Sequence, residues 1–295
     1  MRSNGVITNA LSFDIEDWFH MVEIEAVADP ASWPGLPSIV ESCTEWILST
    51  LEHAEVRATF FVLGWIAERY PALVKSIADA GHELATHSFW HRKVYDLNAE
   101  SFREDLERSI TAIRDAAGPV EVRGFRAPSF SITPGSEWAL DVLIDLGLTY
   151  DASFFPAPRG HGGYPSPQMP HTFTATPSGR PIRELPISVM RLGPTKLAFA
   201  GGGYLRLLPK PLIRRGFASF ERRGWPVVVY LHPRDFCPEQ PRVPMPLRRR
   251  FKSYVGLATT KGKLEMMLSR YRFDTCAAVL GLEDPALVGH EDPVA

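Results

Sequence analysis

Three acids stand within four positions at the end of an apolar run: Asp14, Glu16 and Asp17 in ALSFDIEDWFH, residues 10–20. Clustered carboxylates repel one another and resist burial, so they call for a bound cation or an arginine. In an extended strand residues two apart share a face, which sets Asp14 and Glu16 together and Ile15 opposite, with Asp17 following as the strand ends. A second reactive stretch is THSFWH (86–91), where His87 and His91 are four apart. On a helical turn that spacing brings two imidazoles to one side, close enough to share a metal. Arg126 in GFRAPSF ends an apolar strand and needs an anion; the first-strand carboxylates are the nearest unmatched ones. Pro128 fixes the backbone there and can present nearby N–H groups to a ligand. Asp151 in LTYDASFFP follows a short strand and by itself reads as a turn or cap residue. His232 in VVVYLHPRDF sits at a strand end as a general acid would, with Arg234 and Asp235 near enough to orient or charge it.

Each stretch alone has an ordinary account: a solvated loop, ring-packing histidines, a surface arginine. Together they make a complete set. Two histidines and one acid give three ligands and leave a position for water, the pattern of a catalytic zinc site. A further acid, an arginine and a third histidine remain as base, orienter and acid for metal-assisted hydrolysis of an amide or ester.

Strands and helices must position these residues, and the sequence alternates between them. Strand patterns fall at 9–15, 57–64, 82–88, 122–128 and 226–232. Helical patterns fall at 38–56, at 65–81 with a break near Pro71, at 98–118 with Asn98 as N-cap and Gly118 as stop, and at 135–147. That rhythm predicts an α/β chain with a parallel sheet, whose reactive side chains gather where the strands end. The Pro-, Gly- and Ser-rich residues 155–182 read as an irregular surface excursion. Residues 245–282 read as a C-terminal helical elaboration, and 283–295 as a flexible tail to a single domain of 1–282.

The 295 residues are 45% hydrophobic and 22% charged with a net charge of −2, so nothing favours nucleic acid as a bulk partner. Cys43, Cys237 and Cys276 are widely spaced and read as reduced thiols. No targeting segment or transmembrane run is visible, and the expectation is a cytoplasmic protein, at most peripheral to a membrane, acting before export of its product. RRRFKSY (248–254) could meet a membrane or an anionic glycan, but a solvated helix face is its plainer reading.

In order, SFDIED, HSFWH, RAPSF, YDASF and LHPRDF resemble the five motifs of the polysaccharide deacetylases, the NodB-homology or carbohydrate esterase family 4 group, over about residues 10–236. HRKVYDLNAESFREDLERS and FAGGGYLRLLP resemble further the subfamily found with exopolysaccharide and exosortase loci. The resemblance implies a distorted, incomplete (β/α) barrel of about seven parallel strands. It also implies a divalent metal, usually Zn2+, and removal of N-acetyl groups from hexosamine units of a glycan, free or lipid-linked. On it, Asp14 matches the base, His87 and His91 the metal ligands, Arg126 the arginine holding the base, and His232 the general acid. Asp151 falls in the motif that supports that histidine. The family pattern has two adjacent aspartates in the first motif; here Ile15 intervenes, so the metal carboxylate is Glu16 or Asp17, with strand geometry favouring Glu16. Ser129 stands where the family has a large aromatic, with Phe130 next; a backbone N–H near Ser129 could still serve the oxyanion, while the sugar-facing surface would differ. Hydrolysis of a small cyclic amide or ureide, or carbohydrate binding by a dead homologue, are the alternatives.

Overall fold

Side chains of β1 (Thr8–Ile15) alternate between two apolar layers. Leu11, Phe13 and Ile15 pack beneath the helices, while Ala10 faces the concave interior. The computed structural model describes residues 6–21, 24–157, 160, 162–193 and 195–283. After β1 come α1 (Val40–His53), β2 (Thr59–Val62), α2 (Gly64–Arg69), α3 (Pro71–Asp79), β3 (Glu83–Thr86), α4 (Ala99–Ala117), β4 (Gly124–Phe125), α5 (Trp138–Asp145) and β5 (Tyr150–Asp151). The second half has β6 (His171–Phe173), β7 (Ile182–Glu184), β8 (Met190–Leu192), β9 (Thr195–Leu197), α6 (Gly202–Leu207), α7 (Lys210–Glu221) and β10 (Val228–Leu231). It closes with α8 (Leu247–Tyr254), α9 (Leu257–Leu268), β11 (Arg272–Asp274) and α10 (Cys276–Val279).

The main sheet runs β10-β1-β2-β3-β4-β5-β7-β6, with β11 also on β1. Neighbours from β10 through β7 are parallel; only β6 runs antiparallel, at the edge. This is a curled, incomplete (β/α) barrel, open between its two edges. The two-faced pattern repeats along it: Phe60, Leu84, Val229 and Leu231 pack under the helices, and Phe61, Ala85, Val228 and Tyr230 line the interior. Parallel strands deliver their C-terminal ends to one rim, so residues following β1, β3, β4 and β10 converge there.

Local signals set the helix ends. Pro71 starts α3 and separates it from α2. Asn98 caps α4 by accepting from Ser101 N, and Gly118, at φ 87°, ends it. Gly124 is required by its neighbour: a Cβ there would lie 2.0 Å from the Tyr150 ring.

The structure departs from the expected layout in two places. Residues 155–182 are not wholly irregular: β6 joins the sheet, and Tyr164 stacks on Phe154 at 4.1 Å. Of the expected tail, 283–295, all but Glu283 lies outside the described residues, and Glu283 pairs with Arg57 at 2.9 Å. All three cysteines are free. Among the described residues no helix is long and apolar enough to cross a membrane.

β5 and β7 bring two fully buried carboxyls together. Burial pushes Asp151 up to about 6, and burial with Asp151 beside it pushes Glu184 well above its ordinary value. Two carboxyls so placed are expected to hold a proton between them. A raised folded pKa contributes stability below the unfolded value and loses it as pH rises through the folded one. Wild type is therefore expected to weaken as pH rises from the ordinary carboxyl range through about 6, and to go on weakening above that until Glu184 also loses its proton. Glu184→Gln keeps a donor to Asp151 and should be more stable than wild type at pH 8 by about 1–3 kcal/mol. Parallel Tm-versus-pH curves for the two proteins would contradict the shared proton.

Candidate active site

At the end of β1 the chain tightens, Glu16 N donating to Asp14 O at 3.1 Å. Asp14 and Glu16 both reach the rim cavity, which has about 230 Å³ of space and is also lined by His87, His91, Ser129, Phe130, Tyr230 and His232. Asp17 does not join them. It is fully buried and caps the next turn, accepting from Trp18 N at 2.8 Å, Ile39 N at 3.2 Å and Ser38 Oγ at 2.5 Å. Of the two candidate metal carboxylates, the structure brings only Glu16 to the histidines.

Ligand atoms of Glu16, His87 and His91 all lie within 4.8 Å of one another. Glu16 Oε2 is 2.7 Å from His91 Nε2, yet this buried oxygen accepts no hydrogen bond. His87 Nδ1 lies 2.7 Å from Arg126 O, which assigns its proton to Nδ1 and leaves Nε2 as the ligand atom. Burial lowers His87 to about 4, so it stays neutral as a ligand must be. Burial raises the Glu16 carboxyl, but His91 beside it prevails and holds it well below the carboxylate range. An orphaned buried oxygen among two neutral-capable imidazoles fits a divalent cation, and one oxygen with two nitrogens is a donor set zinc accepts.

The loop carrying both histidines is held in an uncommon conformation, with Ser88 at φ 67° and His91 at φ 55°. Asp105 on α4 fixes it, accepting from Phe89 N at 2.5 Å and Trp90 N at 3.2 Å. Asp105→Ala should orphan both N–H groups, cost about 1–3 kcal/mol and weaken metal binding about 10–100-fold, read by Tm and metal titration. Unchanged metal affinity would show that the loop holds itself.

Arg126 is fully buried and donates from Nη1 to Asp14 Oδ1 at 2.6 Å and to Ser12 Oγ at 2.9 Å. Its Nε donates to Ala152 O at 3.2 Å, and its guanidinium lies 4.0 Å over the Phe61 ring. The other Asp14 oxygen lies 3.7 Å from His232 Nε2. His232 Nδ1 meets Asp235 Oδ2 at 2.9 Å. Burial lowers the His232 pKa, but Asp235 outweighs it and the net shift is upward. Asp235 is itself held down against burial by Arg206, at 3.1 Å, and by His232.

Asp151 departs from its expected place beside His232. It accepts from Ser153 Oγ at 2.5 Å, and Ser153 accepts from Ala127 N at 2.7 Å. It thus braces the loop after Arg126, and Asp235, three residues past His232, takes the supporting position. That loop is also unusual: Ser129 and Phe130 both have φ 56°. Phe130 buries its ring against Tyr230 at 4.9 Å, while among the described residues Ser129 N–H has no hydrogen-bond partner.

Arg206, Asp105, Ser12 and Glu184 were not singled out by sequence reasoning. The one available signal was the glycine run before Arg206. A Cβ at Gly201 would lie 2.1 Å from the Tyr230 ring, so the glycine lets α6 approach β10 and carry Arg206 to Asp235.

An incomplete (β/α) barrel with a carboxylate–histidine–histidine cluster at its C-terminal rim defines the class of α/β protein to which the chain belongs. Residues 32–150 match the family model described as "Polysaccharide deacetylase". Residues 152–281 match a domain of unknown function, DUF3473. The sheet spans both matched stretches, and the rim cavity draws on His87 from the first and His232 from the second. The chain is 36% identical over 126 residues to a chitooligosaccharide deacetylase of Sinorhizobium fredii, covering 39% of this chain and 54% of the relative. It is 35% identical over 75 residues to a peptidoglycan-N-acetylglucosamine deacetylase of Bacillus cereus, covering 25% and 27%. It thus spans about half or less of these curated relatives. A solved Mycobacterium smegmatis structure assigned to the polysaccharide deacetylases shares the fold, with TM-score 0.61 and 20% identity over 92% of this chain and 88% of that one.

Proposed function

We propose that the protein is a metal-dependent hydrolase that removes N-acetyl groups from hexosamine units of a poly- or oligosaccharide, in exopolysaccharide biosynthesis. The observation that carries this reading is one cavity in which the Glu16–His87–His91 cluster faces both the Asp14–Arg126 pair and the His232–Asp235 pair. The deacetylase activities of the relatives support it, and the glycine-rich tract at 199–209 supports the exopolysaccharide setting through its resemblance.

Glu16, His87 and His91 would hold the cation, zinc by this donor set, which when bound polarises a carbonyl and acidifies water. Asp14, paired with and aimed by Arg126, takes the proton of the attacking water. The hydroxide adds to the acetamide carbonyl. Ser129 N–H is available to the oxyanion that forms. His232, charged with the help of Asp235, gives its proton to the departing amine as the C–N bond breaks. Acetate and a free sugar amine are the products. Phe130 packs beneath this loop and shapes the floor.

The test is a panel of N-acetylated oligosaccharides set beside small cyclic amides and ureides, with acetate and primary amine both measured. Acetate matched by amine from the glycans supports the proposal. Ring opening of a cyclic amide with no glycan turnover would replace it.

A further inference from the structure

The cavity wall beside His232 holds more buried positive charge than its own acid offsets. Arg206 and Arg234 are only 4% and 9% exposed. Asp235 lies 3.1 Å from Arg206, but it also serves His232 at 2.9 Å. Behind them Lys263, also buried, donates from Nζ to Leu205 O at 3.0 Å and Arg206 O at 2.5 Å. Arg206 donates to the carbonyls of Ser253 and Lys252, and Arg234 to Ser253 O and to Gln240 Oε1. Those oxygens satisfy hydrogen bonds without supplying a full counter-charge. Arg206 Nε remains buried with no partner. Burial, and then Arg206 beside it, lowers the Arg234 pKa, although Asp235 and Glu16 act the other way, so the crowding of like charges outweighs the acids within reach. Arg249 on α8 lines the same cavity, so one of the three consecutive arginines belongs to the site wall.

Buried cations are costly unless an anion meets them. We propose that this wall receives an anionic group of the substrate, a carboxylate or phosphate on or next to the sugar whose acetamide is hydrolysed. Guanidinium forks suit both anions. The inference rests on the deacetylase reading for the sugar, but the charge imbalance stands apart from it.

The test is calorimetric titration of the zinc-loaded protein with three probes. They are N-acetylglucosamine 1-phosphate, a disaccharide of glucuronic acid and N-acetylglucosamine, and neutral N,N′-diacetylchitobiose. At least one acidic probe should bind about tenfold tighter than the neutral one, with the margin shrinking as salt is added. Which acidic probe wins assigns phosphate or carboxylate. Arg234→Gln should bring the preferred probe down to the neutral one's affinity; should that variant fail to fold, Arg249→Gln on the partly exposed α8 should narrow the margin. Equal affinity for all three probes in wild type overturns the proposal. Acidic preference with no acetate released from any glycan upholds it and overturns the deacetylase reading. Acetate release without acidic preference does the reverse.

Discussion

Asp14→Asn is expected to lower kcat for acetate release by about 10²–10⁴, the range for loss of a positioned proton acceptor. The amide keeps the shape of the carboxyl and can still accept from Arg126, now 2.6 Å from Asp14 Oδ1. It cannot take a proton from water. Glu16, His87 and His91 are untouched, so metal content should stay at the wild-type level. Arg126 is fully buried, and removing the charge opposite it costs stability. Tm should therefore fall while the protein remains folded at assay temperature. A variant with full kcat would remove Asp14 from the mechanism.

His87→Ala and His91→Ala are expected to have effects as large by a different route. Each removes one of the three proposed ligands, whose donor atoms lie within 4.8 Å of one another. Metal affinity should fall by more than the about 10–100-fold typical of an outer partner. Acetate release should fall with it and recover in part at high added zinc. Asp17→Asn is the informative contrast. Asp17 caps the turn after β1 and meets Ser38 and Ile39, so its loss should lower Tm and leave metal content alone. If Asp17→Asn empties the site and Glu16→Gln does not, the ligand assignment is reversed.

The candidate site residues were legible because each ends a strand or begins a tight loop with a distinctive sequence. Period-2 geometry put Asp14 and Glu16 on one face, and the structure places both in the cavity. Charge balance paired Arg126 with the first-strand carboxylates before any fold was known, and the contact is present. Pro71, Asn98 and Gly118 marked helix ends where they occur. The support beneath the site was less legible. Asp151 ends a strand and Asp235 follows one; the closeness of Asp235 to His232 in sequence pointed to their contact, but nothing local showed that Ser153 and Glu184 would claim Asp151 instead. Strands β6 and β7 are three residues each, too short for periodicity to distinguish from a loop. Arg206 reaches Asp235 only because Gly201 lets α6 press on Tyr230, a contact between segments about thirty residues apart.

The central claim joins a metal at Glu16, His87 and His91 to cleavage of a sugar acetamide. Its most direct test follows acetate and free amine from an N-acetylated chitooligosaccharide as the protein is stripped of metal with a chelator and reloaded with zinc. The account predicts release of the two products in equal amounts, loss of both on stripping, and recovery near one zinc per chain. Equal rates in stripped and reloaded protein would contradict it.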